Sequence, residues 1–277
     1  MALRPHLHLL VPSSTASVAI ETRIYLPPAL VATVGAFAPV STSTSSRPSP
    51  IAELPGGARK ALSDITRVVT AAHPWAKLGG NMLFPVVAEH VPSAVLGSAV
   101  GDTALVATFN VRGVGASGGS GAWLGFGIGH DADDFAAVEA AVAGLVGRPK
   151  LYRLGYSYGT LLALNAPRPE AGVKRTMLLS PAPTLFKALT LLSGPSFAQG
   201  LEAALGDTTP RSLWLVYGTA DDFTGAETLR QLGGDEKERI VRTEIEGCGH
   251  FYARAQDARQ LIAAVDSWIS DDAASRL

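Results

Sequence analysis

The chain has 277 residues, 47% of them hydrophobic and 17% charged, with 23 Lys and Arg against 24 Asp and Glu. That length suits one α/β domain over residues 1–277, because single cores stop growing at roughly 250–300 residues, and the apolar content excludes a disordered chain. No block of like charge is long enough to track a phosphate backbone, and no apolar run reaches the roughly 18 residues of a spanning helix, so the expected partner is a small-molecule substrate rather than nucleic acid or a bilayer.

At the start, Met1 to Val11 carries a short apolar run interrupted by His6 and His8, which reads as a first strand rather than a secretory core. Val18 to Tyr25 alternates and is β-rich, so the two stretches predict an antiparallel pair that Pro27-Pro28 ends. Residues 29–62 contain the tract Ser41-Thr-Ser-Thr-Ser-Ser-Arg-Pro-Ser-Pro50, whose composition cannot bury a core; a mobile surface insertion is expected there.

Beyond it, β-rich runs at Thr66–Ala72, Thr103–Asn110, Lys150–Leu154, Thr176–Leu179, Ser212–Tyr217 and Ile240–Ile245 are separated by helical periodicity. Phe135, Val138, Val142 and Leu145 share one face, as do Leu261, Ile262, Val265, Trp268 and Ile269. Strands alternating with helices predict an α/β fold with a mainly parallel central sheet and helices on both faces. The connection Pro181–Arg211 has room for two short helices, Leu185–Leu192 and Phe197–Leu205, hence a minimal cap. The single cysteine, Cys248, rules out an intramolecular disulfide and fits a cytoplasmic location.

In such sheets ligands bind beyond the carboxyl ends of the strands, where the chemical signals of this chain also fall. Gly155-Tyr-Ser157-Tyr-Gly159 follows a strand and opens a helical run, which is the context of a nucleophile elbow. A serine hydroxyl needs a base to take its proton, and His250, after the strand Ile240–Ile245, is the histidine best placed to serve. His90 and His130 read as surface residues. A carboxylate must hold that histidine in one tautomer; Asp221 and Asp222, adjacent after the run Leu213–Tyr217, both qualify.

Acyl transfer also needs two backbone N–H donors for the developing oxyanion, one after the nucleophile and one from an earlier strand end. Tyr158 is the first, and Trp75 is the second, because Pro74 has no N–H. His73 is expected to order that loop rather than react. Gly113-Val-Gly-Ala-Ser-Gly118 matches a dinucleotide fingerprint in letters alone, since more glycines follow where a helix should open. One cysteine and scattered histidines offer no metal-ligand pair, so no metal is expected.

Taken together, His73-Pro with Leu78-Gly-Gly-Asn-Met82, Phe109 to Gly118, Gly155 to Gly159 and Gly249-His-Phe-Tyr252 resemble a family of small lidless α/β-hydrolases, similar in turn to dienelactone-hydrolase-like serine hydrolases. The resemblance spans about Val18 to Ile269. It implies the α/β-hydrolase fold, a serine triad, an oxyanion hole next to the serine and no cofactor. Gly218 opens a Gly-x-x-Asp pattern of that family, which selects Asp221 as the triad acid. The chain departs from the family at Gly127-Ile-Gly-His130-Asp131, where the family tends to carry Gly-Glu; Asp131 is expected to N-cap the following helix.

The activity this implies is hydrolysis of small carboxylic esters or thioesters through an acyl-enzyme. Lactones, amides or carbon–carbon bonds as targets, and a non-catalytic binding protein on the same fold, remain open from residues alone. The expected pocket walls are Trp75, Tyr156, Tyr158, Phe186 and Tyr252, apolar surface enough for a short acyl or aryl group.

Overall fold

Period-two alternation splits each strand between two cores. In the strand Leu213–Gly218, Leu213, Leu215 and Tyr217 join one buried cluster while Trp214 and Val216 join the other, so the sheet is covered on both faces. The structure, a computed structural model, describes residues 7–35, 47–121, 127–189, 197–207, 209 and 211–274.

In chain order the first half runs β1 (Leu7–Pro12), β2 (Ala19–Tyr25), α1 (Pro28–Gly35), β3 (Ser49–Pro50), α2 (Gly56–Ala61), β4 (Arg67–Ala72), α3 (Val91–Gly97), β5 (Ala104–Phe109) and α4 (Ile128–Val146). There follow β6 (Lys150–Tyr156), α5 (Tyr158–Asn165), β7 (Arg175–Leu179), α6 (Pro183–Leu189), α7 (Phe197–Leu205), β8 (Leu213–Gly218), α8 (Ala226–Arg230), β9 (Ile240–Ile245) and α9 (Ala255–Ala274). The strands form one sheet in the order β3-β1-β2-β5-β4-β6-β7-β8-β9. The six strands from β5 to β9 are parallel, and β1 and β2 make the antiparallel pair anticipated from their sequence.

The apolar face of α4, through Phe135, Val138 and Val142, lies in the same cluster as α5 and α7, whereas Val91, Val95, Leu261, Val265 and Trp268 place α3 and α9 on the opposite face. Trp268 meets Tyr152 of β6 edge-on at 5.6 Å, an aromatic contact typically worth about 0.5–1.5 kcal/mol beyond its buried area. Among the described residues no helix is long and apolar enough to cross a membrane.

The stretch 29–62 differs from the loop expected of it. Its described parts include α1, β3 paired with β1, and α2, and they bury Val34, Ile51, Leu54, Ala58 and Leu62. The Arg59 guanidinium ties them together by donating to the carbonyls of Ile51 at 2.9 Å and Leu54 at 3.2 Å. The Ser/Thr/Pro tract is flanked by apolar residues with a core face to fill, and those residues decide the local structure. Residues 36–46 lie outside the described residues.

Candidate functional site

The candidate nucleophile sits where β6 turns sharply into α5. Ser157 has φ +52° and ψ −116°, a conformation that L-residues rarely adopt, and its N–H is anchored on the Leu179 carbonyl of β7 at 2.9 Å. The flanking glycines are sterically required. A Cβ on Gly155 would stand 2.2 Å from the Gly159 carbonyl oxygen, and one on Gly159 would stand 2.4 Å from the Ala72 carbonyl oxygen of β4.

Around Ser157 the structure gathers residues that are far apart in sequence. His250 Nε2 lies 3.0 Å from Ser157 Oγ, and His250 Nδ1 lies 2.8 Å from Asp221 Oδ2. All three are buried, whereas Asp222 is exposed. The other oxygen of Asp221 accepts from the N–H groups of Phe223 at 2.8 Å and Thr224 at 3.2 Å. Burial by itself would raise the Asp221 carboxyl, but the hydrogen bond and charge of His250 and the two backbone donors outweigh it and hold it below the usual carboxylate range. The His250 carbonyl accepts from the Tyr156 hydroxyl at 2.9 Å, and the Phe223 ring lies 4.3 Å from the imidazole.

The N–H groups of Trp75 and Tyr158 make no hydrogen bond among the described residues, and both residues border the small cavity over Ser157. Trp75 belongs to a loop that His73 orders, as its sequence position implied. The fully buried His73 ring bonds through Nδ1 to the Pro74 carbonyl at 2.5 Å and accepts at Nε2 from the Val111 N–H at 3.2 Å. Burial, the dominant effect, lowers His73 to about 4, so it is neutral at physiological pH.

Further along that loop, the Met82 N–H donates to Asn110 Oδ1 at 2.8 Å, and Asn110 Nδ2 donates to Glu21 Oε2 at 2.7 Å. Burial works to raise Glu21, but hydrogen bonds from His8, the Ala116 N–H and Asn110 prevail and hold it at about 2. The Gly113–Gly118 segment folds back on itself through Gly113 N–H to the Gly118 carbonyl at 3.1 Å, and Ser117 bridges it to β2 and Asn110. It is a buttress for the site.

The cavity over Ser157 has a volume of about 50 Å³. Trp75, Tyr158 and Phe186 line it as expected; Leu78, Phe84, Leu185, Phe223 and Phe251 line it without having been anticipated. Two expected walls are elsewhere. Tyr156 is fully buried on the far face of β6, because successive strand residues point to opposite faces, and Tyr252 is buried with its hydroxyl on Ser180 at 2.9 Å and Val216 at 3.3 Å. The signal for the missed walls was local: Phe223 and Phe251 each stand within two residues of Asp221 or His250, on loops where a large apolar side chain has no core to enter.

Asp131 is also not where it was expected. Gly127 occupies the N-cap of α4, and Asp131 lies one turn inside, 1% exposed, with its Oδ2 accepting from the Tyr158 hydroxyl at 2.8 Å. His130 is exposed.

No protein-family model matches the sequence, and no functionally curated protein matches it either. Solved structures do. The chain is similar to an α/β serine hydrolase without a lid from Xanthomonas campestris, at 16% identity over 100% of this chain and 98% of that one with a TM-score of 0.61. It is similar to an esterase from Thermogutta terrifontis solved with propionate, at 14% identity over 98% and 95% with a TM-score of 0.62. An α/β serine hydrolase homologue from Coxiella burnetii aligns at 14% identity over 98% and 99% with a TM-score of 0.58. At these identities the likeness concerns backbone architecture, and on that architecture the chain has the α/β-hydrolase fold.

Proposed function

We propose that this protein is a serine hydrolase that cleaves small carboxylic esters or thioesters through an acyl-enzyme, with Ser157, His250 and Asp221 as its triad. The observation that carries the reading is the continuous relay from Asp221 through His250 to Ser157, at 2.8 and 3.0 Å, ending on a serine held in a strained turn.

Ser157 Oγ attacks the carbonyl carbon while its proton passes to His250 Nε2, and Asp221 stabilises the imidazolium through Nδ1–H. The carbonyl oxygen, now negative, is held by the N–H groups of Trp75 and Tyr158, which have no other partner among the described residues. His250 then gives its proton to the leaving oxygen or sulfur as that bond breaks. Water, deprotonated by His250, attacks the acyl-enzyme and releases the acid and free Ser157. Water is the co-substrate, and the proton transfers and oxyanion contacts of these steps are assigned to His250, Asp221 and the two backbone N–H groups.

Fluorophosphonate labelling tests the assignment directly. Wild-type protein should label at Ser157 and hydrolyse p-nitrophenyl acetate; Ser157→Ala should do neither while keeping its circular dichroism, because loss of a nucleophile normally costs several powers of ten. Residual turnover above about a thousandth of wild type would sink the role given to Ser157.

A further inference from the structure

The aromatic rings around His250 are walls to which the hydrolytic steps give no role. Phe223 and Phe251 border the cavity over Ser157, and the chain ties both to the triad. The Phe223 N–H is held on Asp221 Oδ1 at 2.8 Å, and Phe251 directly follows the base. The Phe223 ring lies 4.3 Å from the imidazole at 35°, and the Phe251 ring lies 5.3 Å from it at 87°. They meet each other edge-on at 5.9 Å, and Phe84, a further wall, stands 6.2 Å from Phe251. Tyr156, 5.7 Å from the imidazole, is fully buried, so Phe223 and Phe251 are the rings beside the base that a substrate can touch.

Exposure sets these side chains apart. Phe223 is 38% and Phe251 53% exposed, and with Leu78 and Leu83 they are the large hydrophobic side chains that the described residues leave open to solvent. Three of these four border the same cavity, and exposed apolar surface gathered in one place marks a binding site. Among the described residues the walls include no Asp, Glu, Lys or Arg, so the group they suit is neutral as well as apolar.

Position decides which end of an ester meets this surface. His250 Nε2 protonates the leaving oxygen and must stand within hydrogen-bond reach of it, while the carbonyl oxygen is held by the Trp75 and Tyr158 N–H groups. The alcohol therefore starts beside the imidazole, and the nearest rings it meets as it extends are Phe223 and Phe251. We propose that these two rings form a leaving-group subsite selective for an aromatic ring carried on a short alkyl arm. The inference rests on the serine-hydrolase reading above and names its substrate class: esters of arylalkyl alcohols. Aromatic rings prefer offset or edge-on partners at about 4.5–7 Å, the spacing these walls keep among themselves, and such a pair gains more than its buried area alone.

The test is kcat/KM of the full-length protein for three acetates whose alcohols have eight carbons each: 2-phenylethyl, 2-cyclohexylethyl and n-octyl. The ring stands two carbons from the oxygen, so the three alcohols differ little as leaving groups. 2-Phenylethyl acetate should lead both others by about fivefold, the factor that a ring pair contributes. In the double variant Phe223→Leu with Phe251→Leu, which keeps apolar bulk, the phenyl-to-cyclohexyl ratio should fall below about twofold. Because the ratio is taken within one protein, a general loss from disturbing the neighbouring triad cancels. If the double variant fails to fold, each single variant should lower the ratio.

A wild-type ratio below about twofold overturns the proposal, and so does an n-octyl ester that matches the phenyl one, since any apolar chain would then serve. A phenyl preference that survives in the variants overturns it too. Ethyl 3-phenylpropanoate and ethyl 3-cyclohexylpropanoate carry the same rings on the acyl side, and a preference there as large as in the alcohol series would show that Phe223 and Phe251 face the acyl group instead. Labelling of Ser157 by fluorophosphonate without turnover of 2-phenylethyl acetate overturns the subsite alone. If no ester turns over and Ser157 takes no fluorophosphonate, the hydrolase reading itself has failed, and the subsite falls with it.

Discussion

Replacing Asp221 by asparagine is nearly isosteric, yet the surroundings of this side chain leave the amide no good orientation. One carboxylate oxygen faces His250 Nδ1 at 2.8 Å, and the other accepts two backbone N–H groups, from Phe223 at 2.8 Å and Thr224 at 3.2 Å. If the asparagine oxygen stays on those two donors, its NH2 faces Nδ1 and forces the imidazole proton onto Nε2, where it blocks transfer from Ser157. If the amide flips, the tautomer is productive, but NH2 meets two buried N–H groups that lose their acceptor. At about 1–3 kcal/mol for each, the flipped form lies about 2–6 kcal/mol higher. At about 1.4 kcal/mol per factor of ten, it is populated in at most about one molecule in thirty. Loss of the negative charge beside the imidazolium comes on top, so kcat should drop by about 10³–10⁴, in line with the effect of such a change in a serine triad, while KM changes little. The assay is steady-state hydrolysis of p-nitrophenyl acetate together with a urea melt, in which the variant should keep close to wild-type stability. Asp222→Asn, at an exposed position, should lose less than twofold. A loss below tenfold for Asp221→Asn, or the larger loss for Asp222→Asn, would refute the tautomer argument.

Acyl length gives a second expectation: the cavity of about 50 Å³ over Ser157 holds little more than a short chain, so kcat/KM on p-nitrophenyl esters should be highest at acetate or butyrate and decline toward palmitate. A steady rise with length would reveal a channel that these walls do not form. Gly159→Ala should destabilise the protein by about 1–3 kcal/mol, because its Cβ would lie 2.4 Å from the Ala72 carbonyl oxygen, and an unchanged urea midpoint would show that α5 moves aside freely. Stability should depend on pH in two opposed ways. His73 is lowered to about 4 by burial, so the unfolded chain takes up that proton first, and stability from this group falls as pH drops from 6.5 toward 4. Asp131 is raised from 3.8 to about 7, again chiefly by burial, so the unfolded chain releases that proton first, and its contribution falls as pH rises over the same range. The two slopes offset each other in wild type, so variants must separate them. At about 1.4 kcal/mol per pH unit, the stability of wild type relative to His73→Asn should fall by about 2 kcal/mol from pH 6.5 to 5, and that relative to Asp131→Asn should rise. Parallel profiles for all three proteins would count against both buried groups.

The strand runs, the antiparallel opening pair and the two long helices were legible because period-two and period-3.6 burial leave their mark on short stretches of chain. Val86–Gly97 was not: it begins with a π-helical turn at Val86–His90 and carries Pro92 near the start of α3, so prolines interrupt the pattern that would have announced it. The flanks of the Ser/Thr/Pro tract were misjudged because composition was averaged over 29–62. Val34 on one side and Ile51 and Leu54 on the other are buried individually against the first strands.

Within the site, the elbow at Ser157 was legible as a short motif: the strained turn and Gly155, which faces the Gly159 carbonyl, are requirements of near neighbours, although Gly159 itself is demanded by the close approach of Ala72 on β4. The motif at His250 and the loop at Trp75 were readable for the same reason. The choice between Asp221 and Asp222 was not local, because adjacent turn residues point in different directions. Only the approach of the His250 loop, 29 residues further on, places one carboxylate on Nδ1 and leaves the other in solvent. Pocket walls are decided the same way. Tyr156 sits next to the serine in sequence but on the opposite face of its strand, while Phe84 and Phe251 come from separate loops to stand with centroids 6.2 Å apart beside the cavity. By itself, then, the sequence determined the order of strands and helices and the short motifs at their ends, which follow from contacts among near neighbours. Which carboxylate, which aromatic rings and which buried acid surround Ser157 was decided by tertiary packing, because those contacts join segments whose relative placement exists only once the sheet is assembled.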